Sequence, residues 1–180
     1  FDVVGATWTV TGTYGQTNSW AVNAGTLNVS GDLSAAANLS VASGGTLMGA
    51  GTVGTTRVSS GGVFAPGNGA PGTSMTVSGN LLLDPGAIYQ VQVNPSAASS
   101  ATVSGTATIG GAIVNAVYVP GRYISKQYTI LSATGGVSGT FGSSVDTNLP
   151  ANFHSVLSYD ANDAYLNLVL NFANPGNFSG

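Results

Sequence analysis

Large apolar residues alternate with small polar ones over short stretches, and the alternation restarts after each Gly-, Ser- or Asn-rich gap. Leu27 and Val29 form one such pair, followed by Leu33, by Leu39 and Val41, and by Leu47, Val53 and Val58. A period of two is the pattern of a half-buried strand. Trp8/Val10 and Trp20/Val22 show it near the start, with Gly12 and Gly15 as turns between them. Met75/Val77, Leu81/Leu83 and Tyr89/Val91/Val93 show it in the middle, the last with Gln90, Gln92 and Asn94 facing outward. Val103, Ala107 and Ile109 resume it, and Leu166, Leu168 and Leu170 follow a predicted hairpin at Ser158 to Tyr165. Nowhere does an amphipathic helical period persist for the length of an ordinary helix. The two early tryptophans fit either stacking within the first units or a cover over an exposed end.

The gaps repeat as well. Ser43-Gly44-Gly45-Thr46-Leu47 returns as Ser60-Gly61-Gly62-Val63-Phe64, with looser copies at Asn23-Ala24-Gly25-Thr26-Leu27 and Asp84-Pro85-Gly86-Ala87-Ile88. The corner glycines Gly25, Gly45, Gly62 and Gly86 recur at intervals of roughly 20 residues. Self-similarity at that interval marks stacked repeats, none of which can bury its apolar face alone. Glycine suits such corners because it accepts positive φ and close backbone approach. A sandwich would need longer strands and hairpin turns, yet the only Asn-Gly pair, Asn68-Gly69, lies inside the Pro/Gly loop 65–74. The pattern therefore predicts an all-β, single-stranded parallel β-helix with a hairpin-containing C-terminal cap. Roughly 6–8 coils at ~4.8 Å would make a rod of roughly 30–40 Å.

Composition narrows the function. Three basic residues, Arg57, Arg122 and Lys126, stand against six Asp and no Glu, and charged residues make up 5% of the chain. That is too little positive charge for the phosphate neutralisation of a nucleic-acid binder, and it disfavours an anionic membrane surface. The absence of Cys excludes disulfides and thiol chemistry and suits a chain that crosses a membrane unfolded. With Phe1 in place of an initiator Met, a fragment of a longer chain is expected.

Texture changes near Val117. Nine of the fifteen aromatic residues lie in 118–180, and aromatic side chains bury about 150–250 Å² each, so this end is expected to be the better packed. The expected organisation is coils over 1–116, a cap over 117–173 and a linker or tail over 174–180. Gly121-Arg122-Tyr123, Tyr128 to Ala133, Val137-Ser138-Gly139-Thr140-Phe141, Phe153 to Tyr159 and Asp163 to Leu168 together resemble the C-terminal passenger region of bacterial autotransporters. Upstream, Gly45 to Val53, Ala65-Pro66-Gly67 and Leu81 to Tyr89 resemble the passenger-associated repeat of that family. The resemblance spans about residues 40–172, and residues 1–39 match only in style. It implies a right-handed β-helix capped by an autochaperone segment, with Tyr123, Tyr128, Phe141, Phe153, Tyr159, Tyr165 and Leu168 as folding-nucleus candidates. It also implies a partner in the chain's own C-terminal outer-membrane β-barrel, which this sequence does not contain, and display at the bacterial cell surface. A monomer is expected, with no enzyme activity, no nucleic acid and no small-molecule cofactor. Host-cell or sister-cell surfaces are the alternative partners if the rod is an adhesin.

Candidate chemistry is sparse. Gly49 to Gly54 and Gly67 to Gly72 fit G-x-G-x-x-G, but neither opens a helix, as a dinucleotide site requires. His154 is the only histidine, in a strand-like context without a nucleophile elbow. A polysaccharide-cleaving β-helix would need paired carboxylates, whereas Asp32 and Asp84 sit beside corners, where Asp serves turns. Asp160-Ala161-Asn162-Asp163 lacks the glycine and distal Glu of an EF-hand calcium loop.

Overall fold

The computed structural model describes residues 1–171, and every regular element among them is a β-strand. The chain winds through three strands per coil. The first coil holds β1 (Asp2–Val3) and β2 (Ala6–Val10) and reaches the third face through a single bridge, Thr13 beside Asp32. Next come β3 (Trp20–Val22), β4 (Gly25–Val29) and β5 (Asp32–Leu33), then β6 (Leu39–Val41), β7 (Gly45–Gly49) and β8 (Thr52–Val53). The fourth coil is β9 (Thr56–Val58), β10 (Val63–Pro66) and β11 (Ser74–Val77); the fifth is β12 (Leu81–Leu83), β13 (Ile88–Val93) and β14 (Ser100–Val103). The sixth is β15 (Ala107–Thr108), β16 (Ile113–Tyr118) and β17 (Lys126–Ala133). The last holds β18 (Val137–Ser138), β19 (Ser143–Thr147) and β20 (Phe153–Tyr159), from which β21 (Asp163–Leu170) turns back.

Equivalent strands stack into three seven-stranded sheets. Sheet one runs β1-β3-β6-β9-β12-β15-β18, sheet two β2-β4-β7-β10-β13-β16-β19, and sheet three β5-β8-β11-β14-β17-β21-β20. Neighbouring strands are parallel except where β21 pairs β17 and β20. The fold is a parallel β-helix with a C-terminal hairpin, as the alternation predicts. Seven strands give six spacings of about 4.8 Å, a rod of about 29 Å.

Inward positions form columns. Leu27, Leu47, Phe64, Tyr89 and Val114 are register partners in sheet two, and Val3, Val22, Val41, Val58 and Leu83 are partners in sheet one. All are buried. Trp8 occupies the inward column above Leu27 yet is 46% exposed, because no strand among the described residues lies beyond β2. Trp20 is buried, stacked on Phe1 at 4.7 Å with Tyr14 edge-on at 5.4 Å. The two tryptophans thus divide the two expected roles between them.

The corner from sheet one to sheet two is tight. Gly44, Gly61, Gly86 and Gly111 form a column with φ between 77° and 84°. The N–H of each donates to the carbonyl of the next coil, Gly61 to Gly86 at 2.9 Å and Gly86 to Gly111 at 3.0 Å. The sequence pattern aligns Gly86 with Gly62, whereas the register sets Ile88 beside Val63 and hence Gly86 beside Gly61. Gly25 itself takes φ 83°, and its partner Gly45 does not. Gly45 and Gly62 answer instead to close approach, since a Cβ on Gly45 would lie 2.2 Å from the Val22 carbonyl oxygen and one on Gly62 2.9 Å from that of Ala42.

From the fourth coil onward the corner from sheet two to sheet three takes the extra residues. Loops at 67–73, 94–99, 119–125 and 148–152 all fall there. They lengthen the repeat toward the C-terminal end: Thr46 stands beside Val63, then Val63 beside Ile88, and finally Ile113 beside Ser143. The Pro/Gly loop is one of this set rather than a lone insertion. The expected division at 116/117 falls inside β16, and parallel stacking continues through β19. The expected tail at 174–180 lies outside the described residues.

Candidate functional site: the closed end of the stack

Strand β17 carries two inward periods out of phase. Tyr128 and Ile130 are buried, and so are Leu131 and Ala133. Two successive inward residues require an extra residue in the strand, a bulge. In the pairing with β21, Thr129 faces Tyr165 and Leu131 faces Ala164, so Ile130 has no partner there. The parallel register between β14 and β17 also starts only at Ala101 and Leu131. Tyr89 fills the gap from across the core. Its hydroxyl accepts the Ala101 N–H at 3.1 Å and donates to the Ile130 carbonyl, standing in for a backbone rung between the two strands. Burial pushes the Tyr89 hydroxyl well above its ordinary value, so it stays a neutral donor.

Aromatic rings continue from there to the end of the stack. Phe64 lies 5.7 Å from Tyr89, Tyr89 lies 5.5 Å from Phe141, and Phe141 lies 6.3 Å from Tyr159. The Tyr159 hydroxyl accepts the Phe141 N–H at 3.1 Å. Phe153 and Leu168 are buried on the same inner face of the hairpin. Tyr128 is buried with its hydroxyl 3.4 Å from the Pro95 carbonyl. The Tyr123 hydroxyl lies 2.6 Å from the Val119 carbonyl and 3.0 Å from that of Val93, with its ring edge-on to Tyr118 at 5.7 Å. Six of the seven sequence candidates therefore join the core or the loop stack. Tyr165 is the exception and faces outward.

Hydrogen bonds fix the outer side of the hairpin. Asp160 accepts the N–H groups of Asn162 and Asp163 at 2.9 and 2.8 Å, a side-chain-capped turn. Tyr165 donates to Asp160 at 2.6 Å. That bond, followed by the two backbone N–H groups, holds the Asp160 carboxyl below its usual range. It also pushes Tyr165 up to about 12, chiefly through the same carboxylate. Asp163 accepts from Ser132 in β17. Inside the last coil, Asp146 accepts from Tyr118 at 3.2 Å and from Ser155 at 2.7 Å, which joins β16, β19 and β20. Burial first, then the Asp146 charge, raises the Tyr118 hydroxyl.

Sequence reasoning did not single out Tyr89, Tyr118 or Asp146. The available signal was the inward phase of Tyr89 and Tyr118, since a buried tyrosine hydroxyl needs a partner. The glycine motifs at 49–54 and 67–72 form sheet corners, with no helix among the described residues to receive a phosphate. His154 is exposed and bonds Asn171, and no hydrogen bond ties it to an Asp or Ser among the described residues. Asp2, Asp32 and Asp84 are held locally by Asn23, Ser34 and Arg57. No group of three or more metal-ligating side chains occurs among the described residues. The hydrogen bonds at this end join strands to one another and to their turns.

No protein-family model matches the chain. The chain is similar to an extracellular serine protease of Serratia marcescens, 34% identical over a 134-position alignment that covers 69% of this chain. It spans 12% of that relative's length.

Proposed function

We propose that this chain is the stalk and folding nucleus of a secreted autotransporter passenger, held at the cell surface by an outer-membrane β-barrel of the same polypeptide. The carrying observation is the return of β21 between β17 and β20, which closes sheet three with antiparallel pairs at one end only. The β20–β21 hairpin has the shortest sequence separation in the stack, and hairpins close in microseconds. Each parallel coil must instead close a whole turn of the stack, as from Thr46 to Val63 or from Ile113 to Ser143, before any rung forms. The hairpin therefore forms first, the aromatic row from Tyr159 to Phe64 anchors the next coils on it, and growth continues one coil at a time. Folding in that direction opposes back-sliding of a chain that emerges C-terminal end first. Sparse charge and the absence of Cys ease the crossing.

The relative's name supports an extracellular destination. The proposal takes only that destination from the relative, because Asp146, Ser155 and Asp160 in this segment bond strands and turns. The test is deletion of residues 117–172 from the full passenger, with surface display and protease resistance as readouts. The reading requires both to fall. Coils that reach the surface folded at the unmodified level would refute the nucleation role.

A further inference from the structure

On the outside of sheet one, two columns of side chains run along the rod with a groove of about 380 Å³ between them. One column is Asn38, Thr55, Asn80 and Thr106, at the corner entering the sheet; the backbone bonds from Leu39, Thr56 and Leu81 to Thr55, Asn80 and Thr106 fix its register. The other is Arg57, Leu82 and Thr108, direct register partners on three successive coils. We propose that this groove binds a neutral oligosaccharide laid parallel to the rod axis.

The chemistry of the lining selects that class. Asn38 and Thr108 make no side-chain hydrogen bond among the described residues, and Asn80 uses only its carbonyl oxygen, for the Thr106 N–H at 2.9 Å. The groove thus offers amide and hydroxyl groups, both donors and acceptors, as vicinal hydroxyls require. Leu82, in the second column, supplies an apolar side for the C–H face of a sugar ring. The one cation is already matched, since Arg57 Nη2 lies 3.0 Å from Asp84. An anionic ligand finds no free charge, and no aromatic residue lines the groove to stack a nucleobase. The first column alternates amide and hydroxyl over four rungs at about 4.8 Å, about 14 Å in all, so a polymer with repeating hydroxyls meets a polar partner at each rung of that column. The groove lies in the parallel part of the stack, away from the hairpin.

Calorimetric titration of the full chain with neutral oligomers of glucose, xylose and N-acetylglucosamine, each as dimer to hexamer, tests the assignment. At least one series is expected to bind, more tightly with length up to about four units. Leu82→Arg, which fills the groove, and Thr108→Arg, at an exposed rung, should each weaken binding at least tenfold. Gln90→Arg, on the outside of sheet two, should leave it unchanged. Circular dichroism and protease resistance verify folding, and Thr108→Arg decides if Leu82→Arg does not fold. Absence of binding across all neutral series, equal binding by both groove variants, or preference for an acidic oligosaccharide or a peptide would overturn the proposal. None of these outcomes bears on the stalk reading, which display measures.

Discussion

Replacing Tyr89 by Phe removes one oxygen and keeps the ring. The contacts with Phe64 and Phe141 survive, so the change isolates the hydroxyl that bridges Ala101 and Ile130. Both backbone groups lie in the interior, and the bulge at Ile130 keeps them from meeting each other. Leaving a buried donor or acceptor unpaired costs about 1–3 kcal/mol each, so the variant should lose about 2–6 kcal/mol. With m of about 3 kcal/mol/M, the urea midpoint would fall by about 1–2 M at unchanged m. Stacked repeats can unfold in parts, so a local readout is needed beside the global one. Hydrogen exchange at the Ala101 amide supplies it, and that amide should lose its protection. A stability loss smaller than the weakest net hydrogen bond, about 0.5 kcal/mol, with Ala101 still protected, would show that the strands close the rung without the hydroxyl.

The two corner glycines should separate in the opposite order to their conformational strain. Gly44→Ala meets open space and only the left-handed penalty at φ 84°, about 1–2 kcal/mol, whereas Gly45→Ala sets a Cβ 2.2 Å from the Val22 carbonyl oxygen and should lower the thermal midpoint further. Asp146→Ala releases the hydroxyls of Tyr118 and Ser155 and should cost about 1–3 kcal/mol, read as faster amide exchange in β19 and β20 than in β4 and β7. The folded chain keeps the Tyr165 proton to about 12 while the unfolded chain loses it near 10.0, so stability should fall as pH rises between those values, and less steeply in Tyr165→Phe. At the acid end the lowered Asp160 and Asp32 carboxyls contribute stability above their ordinary value of 3.8 that is lost as pH falls through their folded values, a change that pH-dependent thermal melts would record.

The stack was legible because its signal is repeated. Leu27, Leu47 and Phe64 stand at the same phase of successive strands, and each column shows itself several times over. The hairpin at Ser158 to Tyr165 was legible from its turn residues. The corner phase was not, because Ser-Gly-Gly offers two glycines and only the register tells which one turns and which one is approached. The bridge from Tyr89 was invisible for another reason. It joins residues 12 and 41 positions apart in two different sheets, and a local pattern of alternation carries no information about what the tip of an inward side chain reaches. The late onset of antiparallel pairing was hidden likewise, since β19 and β21 show the same alternation whatever the direction of their neighbours.

Placement of the loops at 67–73, 94–99, 119–125 and 148–152 at one corner has a consequence for how such a chain can change. The corner from sheet one to sheet two is set by its positive-φ glycine column and by the carbonyl oxygens 2.4, 2.2 and 2.9 Å from a Cβ on Gly25, Gly45 and Gly62, so an inserted residue there would break the register of the coils that stack on it. At the corner between sheets two and three, a loop can double in length for about 0.6 kcal/mol of closure entropy. That edge is where lineages can drift and where an engineer could splice a foreign peptide, while the rungs beneath keep count.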